Sequence, residues 1–201
     1  MPRTTDTRPR IIEAALTLIR GKGYGGTTIS EIVEASGAPR GSVTFHFRGG
    51  KEEIALEVVE LMTARILADV DRASQAATTP AEVLTAQLSE IADVLECSEF
   101  SDSCPVSPIT IELGQASDEV REACMRFFAA WREALTQKMA ERGMDVDDAR
   151  RIASLMVYAT EGALVVCRAE RSLAALRQVS DEVVELCLTG SQSGESSPAS
   201  A

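Results

Sequence analysis

Residues 28–51, TISEIVEASGAPRGSVTFHFRGGK, constrain the fold more than any other stretch, because they read as a helix, a tight turn and a second short helix. Thr28 followed three residues on by Glu31 is a capping-box pair at a helix start. Ile29, Ile32 and Val33 then fall at the i, i+3, i+4 spacing of one apolar helical face. Gly37 stops that helix, since glycine takes the left-handed conformation past a helix end without a Cβ penalty. Pro39 suits the first turn of the next helix, where its missing N–H is not needed. That second helix runs from Arg40 to about Phe47; Val43 and Phe47, four apart, anchor it, while Arg40, Ser42, Thr44 and His46 present polar groups.

Upstream, Ile11, Ile12, Ala15, Leu16 and Ile19 predict an amphipathic helix, followed by GKGYGGTT; downstream, a long helix opens at KEEIALEVV. This order, with APRGSVTFHFRGGKEEI and the later CPVSPITIEL, resembles the TetR family of bacterial transcriptional regulators and, within it, the LmrA/YxaF-type subgroup. The resemblance covers residues 8 to about 65 strongly and the remainder weakly. It implies a sequence-specific DNA-binding repressor of drug-efflux or enzyme genes, released from a palindromic operator by a small apolar or aromatic effector. Two positions depart from the commoner family pattern: Thr44 stands where a phosphate-binding Tyr is usual, and Pro39 where a capping Ser or Thr is usual. Phosphate binding is therefore assigned to Thr28, Arg40, His46 and Lys51, base reading to Arg40, Ser42, Thr44 and Phe45, and Gly41 belongs to the same DNA-binding set.

A net charge of −11 argues against nucleic acid until its distribution is considered. Residues 1–51 hold eight Lys or Arg against four acids, while the other 150 residues hold 12 bases against 27 acids. A basic head binds phosphates while an acidic body repels the duplex and confines contact to one end. No segment near the N-terminus has the apolar core of a signal peptide, so a cytoplasmic location is expected. The most apolar segment, Ile152 to Cys167, is shorter than the roughly 20 residues of a membrane span and contains Glu161 and Gly162, which predicts a buried helix and no membrane partner. Five cysteines without a C-x-x-C pair, and a single His placed in the second helix of the turn unit, give no zinc pattern. No metal or cofactor is expected.

Past the head nearly every segment reads as helix, and no period-2 run competes. The predicted class is all-α: a three-helix DNA-binding head (1–51, reading unit 28–47), joined by a long helix to a ligand-binding and dimerisation body (52–189), with a disordered Ser/Gly/Pro-rich tail (190–201). The predicted connector runs from Lys51 to about Ala73, with Ile54, Val58, Leu61 and Ile66 apolar. Helices are then expected over about 81–96, a loop over 97–108, a short helix over 109–114, and helices over 119–142, 146–170 and 173–188.

Within 146–170, Ile152, Met156, Ala159, Ala163 and Val166 form one apolar face and Leu155, Tyr158, Gly162 and Val165 another, so the helix must be buried on two sides. Residues alone leave internal burial and dimerisation equally open. The EGAL at 161–164 is similar to the family helix that, paired with the last one, builds a four-helix dimer seam, which implies a homodimer through Leu155, Ala159, Gly162, Ala163, Val166, Leu176, Val179 and Val183. The expected effector-site residues are Leu88, Ile91, Cys104, Ile109, Phe127, Phe128, Trp131, Met156, Tyr158 and Glu161, since apolar and aromatic walls with a few polar groups suit small molecules. There is no Ser/His/Asp set, phosphate-cradling glycine loop or metal cluster, so an enzyme is not expected. Two alternatives stay open: a helical dimeric interaction protein regulated by a protein partner, and a thiol-based redox regulator built on Cys97 and Cys104.

Overall fold

The apolar periodicities resolve into nine α-helices among the described residues, 7–190 of a computed structural model: α1 (Thr7–Lys22), α2 (Ile29–Ser36), α3 (Arg40–His46), α4 (Gly50–Ser74), α5 (Pro80–Cys97), α6 (Val106–Leu113), α7 (Asp118–Ala140), α8 (Val146–Glu170) and α9 (Ala174–Gly190). The tail expected to be disordered lies, from residue 191, outside the described residues, as does the side chain of Arg40. α6 begins three residues before the expected Ile109, at Val106. Pro108 falls within its first turn, where a missing N–H breaks no helical bond, so the proline does not delay the start.

The described chain forms two compact units, and their division runs through α4 and α7 rather than at residue 51. The first unit comprises the described residues to Ala64 together with Ser101–Phe127. Its core holds Ile11, Leu16, Ile19, Ile32, Val43, Phe47, Ile54, Val58, Ile109, Val120 and Phe127. The α1, α2 and α3 helices pack pairwise on one another. The segment ahead of α6 joins them: Ser103 Oγ donates to the Arg20 carbonyl at 3.0 Å, and the Arg20 guanidinium lies 3.9 Å from the Asp102 carboxylate. Of the expected α2 face, Ile32 is buried, Val33 half-buried and Ile29, in the first turn, largely exposed.

The second unit comprises Arg65–Phe100 and the described residues from Phe128. Both α5 and α8 pack against α9. The C-terminal end of α4 is closed by Arg142, whose guanidinium donates to the carbonyls of Ser74 and Ala77, the way a basic side chain satisfies orphan carbonyls past a helix end. Lys138 Nζ meets Asp71 Oδ1 at 2.6 Å. By length and composition α8 could cross a membrane. One face of it, from Ala149 through Ile152, Met156 and Ala163 to Cys167, is nevertheless buried in this chain.

Candidate functional site

The turn unit is held by local chemistry. Thr28 caps α2: its Oγ1 accepts from the Glu31 N–H at 3.3 Å, and Glu31 Oε2 accepts from the Thr28 N–H at 2.8 Å, so two orphan donors are satisfied reciprocally. Gly37 closes the helix in the left-handed region at φ 59°, where a Cβ would also meet Arg10 Nη2 at 2.9 Å. Hydrogen bonds from Lys22 first, and then from Thr28, hold the Glu31 carboxyl down at about 2. A carboxyl held below its ordinary value stabilises the fold above that ordinary value and stops doing so as pH falls through the lowered one. The cap should therefore be intact at neutral pH and fail between about 4.5 and about 2, measured as amide exchange in α2. Thr28→Ala should cost about 1 kcal/mol at neutral pH; an unchanged denaturation midpoint would show that the cap contributes nothing.

By contrast α3 has no side-chain cap at Pro39 and spans seven residues, too short to be stable alone. Burial holds it. Val43 and Phe47 are 3 % and 1 % exposed, and the Arg8 guanidinium stacks 5.0 Å from the Phe47 ring centroid while pairing with Glu57. With that face turned inward, the opposite one is solvent-facing: Gly41, Thr44 and Phe45 are exposed, Phe45 to 77 %, and Ser42 and His46 are partly so. The Phe45 and His46 rings meet edge to face at 5.0 Å. Gly41 has no positive φ, and a Cβ built there would meet nothing. Gly41 stands in the first turn of α3, and nothing in the fold of this chain occupies the space a side chain would take there.

The expected phosphate ligands are placed differently from one another. Thr28 is exposed, but its hydroxyl is committed to Glu31. Lys51 Nζ donates to the Tyr24 carbonyl at 2.5 Å and lies 3.8 Å from the centre of the Tyr24 ring. That partial burial pulls its ammonium below the usual lysine range. Arg48 did not enter the expected set; it is exposed directly after α3, a position its place in RGGK already signalled. A groove of about 570 Å³ in the same unit is lined by Glu52, Glu53, Glu57, Glu60, Glu119 and Arg126, a charge balance opposite to what phosphates require.

The expected effector residues divide between the units. Cys104, Ile109 and Phe127 belong to the first; Leu88, Ile91, Phe128, Trp131, Met156, Tyr158 and Glu161 belong to the second. In the second unit Leu88, Trp131 and Met156 are buried, and Ile91, Phe128 and Glu161 are half-buried. Tyr158 does not join them. Two residues beyond Met156, it points about 200° away around the helix, is 60 % exposed, and has the Arg132 guanidinium 5.7 Å from its ring centroid.

Its neighbours on that side are exposed as well. Leu155, Tyr158, Ala159, Gly162, Val165 and Val166 form one exposed stripe on α8. Ala163, Leu176 and Val183, expected at the seam, are 6 %, 2 % and 3 % exposed within the protomer, and Val179 is half-buried. A helix apolar all round does not declare which side faces its own core, and the division of residues between the two faces shifted accordingly. On α9, Asp181, Glu182 and Glu185 are exposed or nearly so instead.

No disulfide links the cysteines: Cys97 is exposed, Cys104 half-buried, and Cys124, Cys167 and Cys187 are buried. Burial pushes the Cys187 thiol up to about 11 and raises Cys124, away from the reactive thiolate. No group of side chains suited to a metal ion occurs among the described residues.

Known proteins share both the head and the body. Residues 11–58 match the family described as bacterial regulatory proteins of the tetR family, and residues 80–182 match the LmrA/YxaF-like transcriptional regulator C-terminal domain. The HTH-type transcriptional regulator LmrA of Bacillus subtilis is 30% identical over 181 residues, 90% of this chain and 96% of that protein. The uncharacterized HTH-type regulator YxaF of the same organism is 25% identical, over 89% and 93% of the two chains. The crystal structure of a regulatory protein TetR from Rhodobacter sphaeroides shares the fold with a TM-score of 0.81 at 21% identity, covering 90% of this chain and 98% of that one. A capped two-helix reading unit in a basic head, followed by a helical body matched along most of its length, makes this chain a member of the TetR family of bacterial transcriptional regulators, with an LmrA/YxaF-like C-terminal domain.

Proposed function

We propose that the chain is a cytoplasmic homodimeric repressor, released from a two-fold-symmetric operator by a small, mostly apolar and aromatic effector. Regulators of this family bind DNA and small-molecule ligands and are typically dimers. The observation that carries the reading is the exposed face of α3, with an open Gly41 and a Phe45 that is 77 % exposed and meets only the His46 ring edge to face among the contacts described. Ser42, Thr44 and Phe45, with Arg40, read base edges, an exposed phenyl ring suiting a thymine methyl. Arg48, His46 and Thr28 border the phosphates, and Lys51 fixes the α1–α2 connection as well as adding positive charge. Two such helices in successive major grooves, about 34 Å apart, call for a roughly palindromic site. Selection from a random duplex pool tests this; a helical, intact protein that enriches no sequence would remove it.

Gly41 gives the reading a sharper form. Gly→Ala at an exposed helical position stabilises, by up to about 0.5–1 kcal/mol in a helix interior and by less in the first turn, where Gly41 stands. Gly41→Ala should therefore raise the melting temperature while weakening operator binding, because a methyl group then stands where the duplex approaches the backbone. A gain in stability with undiminished operator affinity would mean that the duplex does not lie against α3 at this point.

A further inference from the structure

The basic residues of α1 turn inward. Arg8, Arg10, Arg20 and Lys22 are half of the eight Lys or Arg in residues 1–51, the charge that gives the head its sign. Each of the four meets a group of the chain itself. Arg8 pairs with Glu57 of α4, lies 3.9 Å from Glu53 and has its guanidinium 5.0 Å from the centre of the Phe47 ring that ends α3. Arg10 Nη2 donates to the Ser36 carbonyl at the C-terminal end of α2, and it is the group a Cβ on Gly37 would meet. Arg20 reaches Asp102, and Lys22 holds Glu31 of the α2 cap.

Two of these contacts sit at the joints of the reading pair. The last carbonyls of α2 have no partner within their helix, and Arg10 satisfies one of them, which ties the turn at Gly37 to α1. With seven residues and no side-chain cap, α3 depends for its rotation about its own axis on where Val43 and Phe47 seat. The Arg8 guanidinium stacks on the Phe47 ring while Glu57 holds it in place, so one planar fork joins α1, α3 and α4. A lysine would supply the charge but not the fork. We propose that Arg8 and Arg10 are positioning residues for DNA reading, which fix α3 relative to α2 on the common frame of α1, and that neither neutralises a phosphate. The proposal rests on the reading of base edges by α3 given above. A side chain committed to an internal partner releases no counterion from the duplex, so its loss acts through geometry: selectivity falls and the salt dependence does not change.

The test uses the full chain with two duplexes, the operator selected from a random pool and a shuffled sequence of the same length and composition, each titrated at several salt concentrations. Arg8→Met and Arg10→Met keep the stem and remove the fork. Each should lower the ratio of operator to shuffled affinity by about tenfold and leave the slope of log affinity against log salt unchanged. Arg8→Lys should keep the ion pair with Glu57 and recover only part of the ratio. Glu57→Ala retains every basic charge and should lower the ratio too, so it carries the test where Arg8→Met fails to fold. Loss of a phosphate ligand reads differently: both duplexes weaken alike and the slope flattens by about one. That outcome for Arg8→Met or Arg10→Met, or an unchanged ratio in variants that keep their helicity by circular dichroism, overturns the assignment and leaves the reading by α3 intact. If the wild type enriches no operator, the assignment falls with that reading.

Discussion

A carboxylate at position 165 is expected to yield a folded monomer with at least about hundredfold weaker operator binding. Val165 is 69 % exposed on the α8 stripe, so Val165→Glu costs the protomer core nothing. At a seam between two copies the same carboxylate would be buried without a partner, which costs several kcal/mol. Losing the second head then removes the avidity of bivalent binding, a factor of about 10² to 10⁴. Ala163→Glu is the contrasting substitution: two residues away on the same helix, but 6 % exposed and inside the protomer, it should unfold the body. Sedimentation and far-UV circular dichroism separate the two, with helicity retained in the first variant and lost in the second. A Val165→Glu protein that stays dimeric at micromolar concentration places the seam elsewhere. Gly162 lies on the same exposed stripe, and a Cβ there would meet nothing in this chain.

The head was readable from sequence because its determinants are local. The Thr28–Glu31 cap, the left-handed Gly37 and the Val43–Phe47 anchor each act within four residues, and each occurs as expected. The facing of α8 was not readable, because residues apolar on every side give periodicity nothing to choose between; Ala159 and Val166 lie outside and Ala163 inside. The attachment of the segment ahead of α6 to the head was also hidden. Ser103 reaches the Arg20 carbonyl across 83 residues of sequence, and no local spacing encodes such a contact. Glu112 is similar: its carboxylate reaches the space beside Gly25 from 87 residues away in sequence.

Effector binding is expected to lower operator affinity about hundredfold, which corresponds to about 2.7 kcal/mol of coupling. By linkage, saturating operator DNA must weaken the effector by the same factor. The physical route is α4, one unbroken helix from Gly50 to Ser74 that belongs to the first unit as far as Ala64 and to the second from Arg65. An α-helix is stiff along its axis, so a ligand that displaces the buried Ile66 and Val70 carries the motion to Lys51, whose bond to the Tyr24 carbonyl fixes the α1–α2 connection. The two reading helices of a dimer then no longer match the groove spacing. Trp131, the only tryptophan and 2 % exposed, should report the event by its emission. Phe128→Ala, at a half-buried position, should weaken the effector about tenfold; Met156→Ala is a poorer probe, because deleting a fully buried methionine costs about 2–5 kcal/mol of stability by itself. Reciprocity is the decisive measurement. An effector that binds free and operator-bound protein with equal affinity cannot shift the equilibrium, and that result would leave release from DNA to some agent other than a ligand in the body.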